Sequence, residues 1–178
     1  MRVITGTARG MTLRTLEGDN VRPTTDKVKE AVFSAIQFEL EGRRILDLFA
    51  GSGQLGIEAL SRGAQSAVFV DADKNAIKVI KENLMKTKLD SLATVAQTDA
   101  IAYLSMTDKV FDIAFLDPPY SAGLLQKALS KIDEHIAQGG AVICEHPFKE
   151  EFEEEIGGLK KYREYKYSKT AVTVYRKD

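Results

Sequence analysis

The four consecutive residues Asp117-Pro118-Pro119-Tyr120 form the most specific chemical pattern in this sequence. They follow the apolar run 110–116, which predicts a buried parallel strand, so they lie where open α/β sheets bind their ligands. Proline restricts the backbone and lacks an N–H donor, so the two prolines predict a stiff turn with free carbonyl oxygens. The Asp117 carboxylate and the Pro118 carbonyl can then accept both hydrogens of an amino group while the Tyr120 ring stacks. The pattern matches the requirements for holding the exocyclic amino group of a nucleobase.

A glycine-rich segment, Gly51-x-Gly53-x-x-Gly56, provides the second pattern. It follows an apolar strand and precedes a predicted helix, which is the setting of a dinucleotide-binding fingerprint. Asp71 ends the next predicted strand, 20 residues after Gly51, where a carboxylate can bind ribose hydroxyls. The segment therefore predicts nucleoside binding, without separating a dinucleotide from S-adenosylmethionine.

Two further carboxylates favour S-adenosylmethionine over a dinucleotide. Asp47 lies shortly before the glycines, where it can face a cationic amino group but would repel a pyrophosphate. Asp99 follows the third predicted strand and is well placed for an adenine amino group, although it can equally cap the next helix. With Asp71 and Asp117, these residues place four carboxylates at one edge of the sheet. Because like charges repel, folding requirements alone do not readily explain this clustering.

The order of the apolar segments predicts the fold that positions these residues. Residues 2–16 predict a short β-hairpin that turns near Arg9-Gly10, and a helix is expected from Thr24 or Thr25 to about Leu40. Strands are then predicted at 44–49, 66–71, 92–97, 110–116 and 140–145, with helices at 54–62, 74–88, 99–105 and 122–137. Two more strands are expected within 160–176. The predicted fold class is α/β: a Rossmann-like, doubly wound, mostly parallel seven-stranded sheet with an antiparallel C-terminal strand pair, plus the N-terminal hairpin and helix.

Length and composition predict a single soluble domain spanning 1–178, with an N-terminal extension at 1–42 and a catalytic core at 43–178. The chain has 178 residues, of which 44% are hydrophobic and 29% are charged. It contains no apolar run long enough to cross a membrane and begins without an apolar signal segment, so a cytoplasmic location without a membrane partner is expected. The single cysteine, Cys144, lies in an apolar run and is expected in the core. With only His135 and His146 as histidines, no metal site is expected.

The net charge is only −1, but the charged residues are distributed unevenly along the chain. The first sixteen residues contain three arginines and no acid, and residues 159–178 contain seven basic residues. These two ends can be ordinary solvated faces, or they can form a rim that binds phosphates. The sequence leaves both interpretations open.

The combined pattern closely resembles class I S-adenosylmethionine-dependent methyltransferases that act on exocyclic amino nitrogens. Within that class, the whole chain resembles the bacterial family that methylates guanine N2 in 16S ribosomal RNA. Three parts carry the resemblance: the N-terminal Arg-Val-Ile-Thr-Gly and Ala-Arg-Gly-Met-Thr-Leu, the segment 21–30 with Arg-Pro-Thr, and residues 47–53 together with 117–120. The Asp-Pro-Pro-aromatic motif alone is shared with DNA adenine and RNA methyltransferases. The Arg-Pro-Thr segment at this distance before the glycines is more specific.

The resemblance implies transfer of a methyl group from S-adenosylmethionine to the exocyclic N2 of a guanine in 16S rRNA, leaving S-adenosylhomocysteine. The substrate is then 16S rRNA or a partly assembled small ribosomal subunit, with no metal and no obligate protein partner. The target base is held by Asp117, Pro118, Pro119 and Tyr120. RNA contacts are implied for Arg9, Arg22 and Lys27, although Arg22 and Lys27 can equally pair with nearby acids. The implied cofactor-binding residues are Asp47, Phe49, Ala50, Gly51, Ser52, Gly53, Asp71, Ala72, Asp99 and Ala100.

Three other functions remain open at the level of the sequence. An adenine-N6 methyltransferase on DNA or RNA would use the same motif, although 178 residues leave little room for a DNA target-recognition region. An NAD-dependent oxidoreductase is favoured by the glycines and Asp71, but Asp47, the Asp-Pro-Pro-Tyr turn and the absence of a second catalytic domain oppose it. The third alternative is a nucleotide-binding or RNA-binding module without catalytic activity.

Overall fold

A central β-sheet with helices on both faces organises the chain in the computed structural model, which describes residues 1–18, 25–120 and 123–178. The strands are β1 (Arg44–Asp47), β2 (Ser66–Asp71), β3 (Ala93–Gln97), β4 (Phe111–Leu116), β5 (Ile136–Pro147), β6 (Glu155–Ile156), β7 (Leu159–Lys166) and β8 (Thr170–Lys177). The helices are α1 (Asp26–Ala35), α2 (Gln54–Ser61), α3 (Lys74–Thr87), α4 (Ala100–Met106) and α5 (Leu124–Ile132).

The sheet has the order β3-β2-β1-β4-β5-β8-β7-β6. Strands β1 to β5 pair in parallel, and β8, β7 and β6 pair in antiparallel fashion at one end. The order reverses between β1 and β4, which opens a crevice at the carboxyl ends of these two strands. Asp47 pairs with Phe115 across this point, so Asp117 follows just beyond the paired residues. The Rossmann-like α/β fold predicted from the sequence is confirmed.

Helices cover both faces of the parallel strands, and adjacent residues of one strand therefore enter different apolar clusters. On β4, Phe115 packs in the cluster that contains Phe33 and Phe69, whereas Leu116 packs with Leu129 on the other face. Burial on both faces explains why β1, β2 and β4 appear in the sequence as continuous apolar runs rather than as alternating ones. Strand β3, at one end of the sheet, has no buried residue.

Two predicted element boundaries on the C-terminal half were wrong. The helix expected over 122–137 ends at Ile132, and β5 begins at Ile136 rather than at residue 140. Ile136 lies four residues after Ile132, so its spacing fits a helix, but it is buried opposite Phe111 in the parallel ladder. The sheet has eight strands instead of seven because β6 pairs with β7 over only two residues, too few to produce an alternating pattern.

The helix expected to reach Leu40 ends earlier, at Ala35. Its start was predicted correctly, since the Thr25 hydroxyl accepts a hydrogen bond from the Val28 N–H at 3.3 Å. Ile36 and Leu40 are still fully buried, but from a turn that leads into β1. The spacing of apolar residues therefore predicted correctly that Ile36 and Leu40 are buried, but not that they lie outside the helix.

The N-terminal segment forms a small hairpin, as predicted, with one bridge between Arg2 and Thr12. It is held on the core by Glu58 of α2, which accepts hydrogen bonds from the N–H groups of Ile4 and Thr5 at 2.9 and 3.0 Å. The fully buried Lys29 ammonium lies 3.0 Å from the same carboxylate. Burial alone would raise the pKa of Glu58, but the Ile4 hydrogen bond and the Lys29 charge hold this pKa below its usual range.

Candidate active site

The carboxyl ends of β1, β2 and β4 surround a cavity of about 760 Å³. Twelve of the residues proposed from the sequence line it, which brings the glycine-rich segment, the acids after β2 and β3, and the Asp117–Tyr120 turn into one space. They are Phe49, Ala50, Gly51, Ser52, Asp71, Ala72, Asp99, Ala100, Asp117, Pro118, Pro119 and Tyr120, of which the last four form the turn. A cavity of this size suits a nucleoside-containing ligand.

Asp71 shapes the glycine-rich loop from the end of β2. One carboxylate oxygen accepts a hydrogen bond from the Gly51 N–H at 2.8 Å, and the other accepts one from the Asp73 N–H at 2.9 Å. Gly51 has φ +56°, and a Cβ atom placed there would meet no protein atom within 4 Å. The loop is therefore held close to Asp71 while its backbone faces open space that a ligand can occupy.

Gly56 has a packing role that differs from that of Gly51. A Cβ atom on Gly56 would lie 2.3 Å from the Phe69 ring, so only glycine allows α2 to approach β2 this closely. Gly53, with φ +81°, turns the chain into α2 and does not line the cavity.

Asp47 lies behind the loop and does not line the cavity. It is almost fully buried and accepts a hydrogen bond from the Gly56 N–H at 3.0 Å, which ties β1 to the first turn of α2. Burial raises the pKa of Asp47 to about 7, opposed by the Gly56 hydrogen bond and reinforced by the charge of Asp71. The sequence placed this carboxylate opposite a ligand amino group, but the fold places it beneath the loop that would contact the ligand.

Asp99 combines the two roles that the sequence left open. Its carboxylate caps α4 by accepting a hydrogen bond from the Ala102 N–H at 2.9 Å, and the residue also lines the cavity. An aspartate used as a cap keeps further lone pairs that can accept from a ligand.

The Asp117–Tyr120 turn forms the wall of the cavity next to β5 and β8. The Tyr120 hydroxyl lies 3.2 Å from the hydroxyl of Thr170 at the start of β8, while the Tyr120 side chain remains 47% exposed. Asp117 is partly buried and Pro118 is buried, so the two proposed acceptors lie below the exposed tyrosine.

Seven cavity residues were missed by reasoning from the sequence: Met1, Thr15, Leu16, Leu48, Gln54, Asp73 and Leu124. Met1, Thr15 and Leu16 enter the site because the N-terminal hairpin docks on α2 and α3, and no local pattern signals such a contact. Gln54, at the start of α2, is buried, and its side-chain oxygen has no hydrogen-bond partner among the described residues. An unpaired buried carbonyl beside a cavity is the feature that a ligand N–H or O–H would satisfy.

Two of the three proposed RNA-binding residues lie outside the cavity. Arg9 and Lys27 are both exposed, and neither lines the cavity. Arg22 falls outside the described residues. In the basic C-terminal region, Lys161, Arg176 and Lys177 pair with Glu154, Glu39 and Asp133. Much of that charge is therefore neutralised within the fold.

Other reactive groups do not form a second centre in the part of the chain that the structure describes. Cys144 is buried, as predicted, and burial raises the pKa of its thiol. Within residues 1–18, 25–120 and 123–178, no group of three or more His, Cys, Asp or Glu side chains could hold a metal ion. Over the same residues, no helix is both long enough and apolar enough to span a membrane.

Comparison with known proteins places the chain in a family. A family model described as "Conserved hypothetical protein 95" matches residues 1–176. The chain belongs to this family. A Bacillus subtilis relative named "Putative rRNA methyltransferase YlbH" is 43% identical over 99% of each chain. Ribosomal RNA small subunit methyltransferase D of Haemophilus influenzae is 38% identical over 76% of this chain and 72% of its own. These matches confirm the resemblance to S-adenosylmethionine-dependent rRNA methyltransferases.

Solved structures share the architecture of this family member. The Escherichia coli protein described as "Putative methyltransferase yhhF" has a TM-score of 0.90 at 29% identity, covering 100% of this chain and 98% of that chain. A Thermus thermophilus 16S rRNA N2 methyltransferase, solved with AdoMet and guanosine, has a TM-score of 0.69 at 23% identity. It covers 87% of this chain and 44% of its own, and at that identity it shows the fold alone.

Proposed function

We propose that this protein transfers a methyl group from S-adenosylmethionine to the exocyclic N2 of a guanine in 16S rRNA. The observation that carries the proposal is the shared cavity of about 760 Å³, which contains both the glycine-rich loop and the Asp117–Tyr120 turn. A methyl donor on the loop and an amino group on the turn would then lie within one enclosed space.

The residues around the glycine-rich loop suit S-adenosylmethionine. Asp71 already accepts from two backbone N–H groups and keeps lone pairs for ribose hydroxyls, and Asp99 can accept from the adenine amino group. The loop offers backbone groups at Gly51 and Ser52, and the unpaired side-chain oxygen of Gln54 would accept from a further donor. The negative charge of the four aspartates that line the cavity favours a cationic ligand and opposes the pyrophosphate of NAD. These are Asp71, Asp73, Asp99 and Asp117.

The Asp117–Tyr120 turn would act on the base nitrogen, which is the less reactive partner. S-adenosylmethionine supplies an electrophilic methyl group on a positively charged sulfur. The Asp117 carboxylate and the Pro118 carbonyl would accept the two amino hydrogens, which favours a pyramidal nitrogen whose lone pair points at the methyl carbon. Asp117 would also stabilise the positive charge that develops on the nitrogen. After S-adenosylhomocysteine is formed, the methylated nitrogen is acidic enough to lose its extra proton to water, so no strong base is needed. A preorganised contact of this type contributes about 3–4 kcal/mol, and alignment of the reacting atoms can supply about 7 kcal/mol or more.

The target guanine must leave its stack to reach the turn. Tyr120, with half of its side chain exposed, offers a flat face for the extruded base, and its hydroxyl contact with Thr170 holds the ring in place. Unstacking costs a few kcal/mol in a duplex and less in a loop or at a bulge. Unpaired nucleotides of the rRNA are therefore the expected targets.

The choice of rRNA is supported by the names of the relatives, whereas the choice of guanine rests on the resemblance of the sequence. The turn does not separate the two bases, since the same acceptors would hold the amino group of adenine. A relative 38% identical to this chain is named a small-subunit rRNA methyltransferase. The Arg-Pro-Thr segment adds support from the sequence. Naked RNA and a partly assembled small subunit are both compatible with the exposed turn.

The proposal is tested by incubating the purified protein with S-adenosylmethionine and small subunits from a strain that lacks the modification. Nucleosides from the digested RNA are then identified by mass spectrometry, with naked 16S rRNA assayed in parallel. N2-methylguanosine is the expected product. N6-methyladenosine would refute the guanine assignment, and the absence of any methylated nucleoside would refute the activity.

A further inference from the structure

A second cavity, of about 400 Å³, lies against the Asp117–Tyr120 turn. Its lining residues from the turn are Pro118, Pro119 and Tyr120, which also line the larger cavity. The opposite wall comes from the end of β5, with Glu145, His146 and Pro147, and from α5, with Leu125 and Gln126. Asp117 lines the larger cavity and not this one.

We propose that this second cavity binds the base of the nucleotide next to the target guanine in the same RNA strand. The inference rests on the proposed function, because it requires a target base at Asp117. A base in the second cavity would lack that carboxylate and could not be methylated. It would instead lie against the same turn that holds its neighbour, a relationship that fits two consecutive nucleotides of one strand.

Aromatic and apolar surfaces at this position suit a nucleobase. Tyr120 is 47% exposed, and Phe148, which lies between the lining residues Pro147 and Lys149, is 42% exposed. Exposed aromatic side chains that cluster beside a concave surface are typical of sites where a partner binds. Single-stranded nucleic acids stack their bases on such side chains with little dependence on base identity.

Phe148 is held in a defined position directly after the lining residue Pro147, although it does not itself line the cavity. Its N–H donates to the Lys169 carbonyl at 3.1 Å, which extends the β5–β8 ladder by one residue beyond Pro147. The Lys166 ammonium lies 5.4 Å from the centre of the Phe148 ring. An aromatic ring with a cation beside it is a common arrangement for binding a base and its phosphate.

The charges around the cavity favour a base inside it and a phosphate outside it. The carboxyl groups within it belong to Glu145 and to Glu150, which accepts a hydrogen bond from the Gln126 amide at 3.1 Å. These groups would repel a phosphate but can accept from the amino or imino hydrogens of a base. The exposed Lys149 lines the cavity, where it can contact a phosphate that passes outside. Lys166 lies over the Phe148 ring and pairs with Glu164 at 3.3 Å.

The uncharged wall formed by His146 is consistent with a base-binding cavity. The His146 ring contacts the Thr173 hydroxyl at 2.8 Å and packs edge-on against Phe152. Burial lowers the pKa of His146, against the Pro147 carbonyl and the charges of Glu164 and Glu150, which raise it. The ring therefore acts as a fixed neutral surface near pH 7.

A photo-crosslinking experiment tests the location directly. The variant Phe148→p-benzoyl-L-phenylalanine is bound to unmodified small subunits with S-adenosylhomocysteine and irradiated, and the crosslinked nucleotide is mapped by primer extension. We expect the crosslink at the nucleotide adjacent to the guanine that the wild-type protein methylates. The same substitution at Phe38, which is 92% exposed before β1 at the opposite edge of the sheet, is the matched control.

Kinetic measurements on Phe148 variants distinguish stacking by an aromatic ring from packing by any large apolar side chain. Phe148→Ala and Phe148→Leu should each raise KM for the RNA roughly 5- to 150-fold, the range expected for loss of one base–aromatic stack. Affinity for S-adenosylhomocysteine, measured by calorimetry, should not change, and Phe38→Ala should leave KM unchanged. Phe148→Tyr should restore a KM close to that of the wild-type protein.

The two levels of the hypothesis fail in different ways. If the wild-type protein methylates no guanine, the proposed function fails. If it methylates a guanine while KM is unaffected by Phe148→Ala and the crosslink maps away from the neighbouring nucleotide, the second cavity does not bind that nucleotide.

Discussion

The Tyr120 hydroxyl and the Thr170 hydroxyl lie 3.2 Å apart, joining the turn after β4 to the start of β8 across the end of β5. The antiparallel end of the sheet thus helps to orient the ring on which the target base would stack. We expect Thr170→Val and Tyr120→Phe each to lower kcat roughly 2- to 10-fold, the range for one neutral hydrogen bond.

A double-mutant cycle checks this coupling, because removing both hydroxyls should cost no more than removing either one. Affinity for S-adenosylhomocysteine should not change in any of the three variants. Thr94→Val, at an exposed position on β3, is the control. Additive losses in the double variant would show that the two hydroxyls act separately.

Replacing Asp117 is expected to abolish methyl transfer without affecting binding of the methyl donor. Asp117→Ala should bind S-adenosylhomocysteine with unchanged affinity by calorimetry, yet lose methyl transfer by orders of magnitude in single-turnover assays. Asp117→Asn keeps one acceptor oxygen but not the charge, so its methyl-transfer rate should lie between those of the wild-type protein and Asp117→Ala. Asp108→Ala, an exposed aspartate before β4, serves as the control. Near-normal turnover of Asp117→Ala would contradict the mechanism.

Asp47 predicts an unusual pH dependence of stability. Burial raises its pKa to about 7 in the folded protein from the ordinary value of 3.8, so the folded state binds more protons than the unfolded state between these values. The contribution of this group to stability is therefore fully present below about pH 4 and is lost as the pH rises through 7. Asp47→Asn abolishes the ionisation while keeping an acceptor for the Gly56 N–H.

The stabilisation of Asp47→Asn over the wild-type protein should grow by about 2–3 kcal/mol between pH 5 and pH 8. Urea unfolding at the two pH values measures this difference. Asp90→Asn, at an exposed position after α3, reports the effect of removing a surface carboxylate. A stability difference that is the same at both pH values would show that Asp47 is not a titrating buried group.

Two glycines of the loop should respond to alanine in opposite ways. Gly56→Ala places a methyl group 2.3 Å from the Phe69 ring and should lower the free energy of unfolding by about 1–3 kcal/mol. Gly51→Ala meets no atom within 4 Å and should cost about 1 kcal/mol through its φ of +56°. Its main effect should be a loss of affinity for S-adenosylhomocysteine, measured by calorimetry. Equal affinity losses in the two variants would contradict this division.

Strands and site residues were predicted most accurately where a single physical requirement determines the residue types. Strands buried on both faces need continuous apolar runs, which located β1, β2 and β4, whereas β3 has no buried residue. The convergence of the carboxyl ends of the parallel strands brought Asp71, Asp99 and Asp117 together. Ile136 was misassigned because a helix and a strand both bury it. Asp47 was placed in the site because the sequence shows its position in the chain but not that its carboxylate lies beneath the loop.

Residues that reach the site through tertiary docking left no local signal. Met1, Thr15 and Leu16 line the cavity because two residues more than 50 positions away hold the hairpin in place. Glu58 accepts hydrogen bonds from Ile4 and Thr5. Asn83 bonds to the N–H and the carbonyl of Arg14. From the pattern of apolar residues in α2, Glu58 could equally be an exposed surface residue. Glu58 is buried because it pairs with the buried Lys29, and the sequence pattern does not predict this pairing.

This buried contact makes the N-terminal hairpin inseparable from the rest of the protein. Without Ile4 and Thr5, the Glu58 carboxylate would lose two of its donors inside an apolar environment, and Lys29 would lose its contact with the Arg2 carbonyl. The hairpin is therefore not an appendage that could be exchanged for that of a related enzyme to redirect RNA recognition. A functional transplant would have to carry Lys29 and Glu58 along with it.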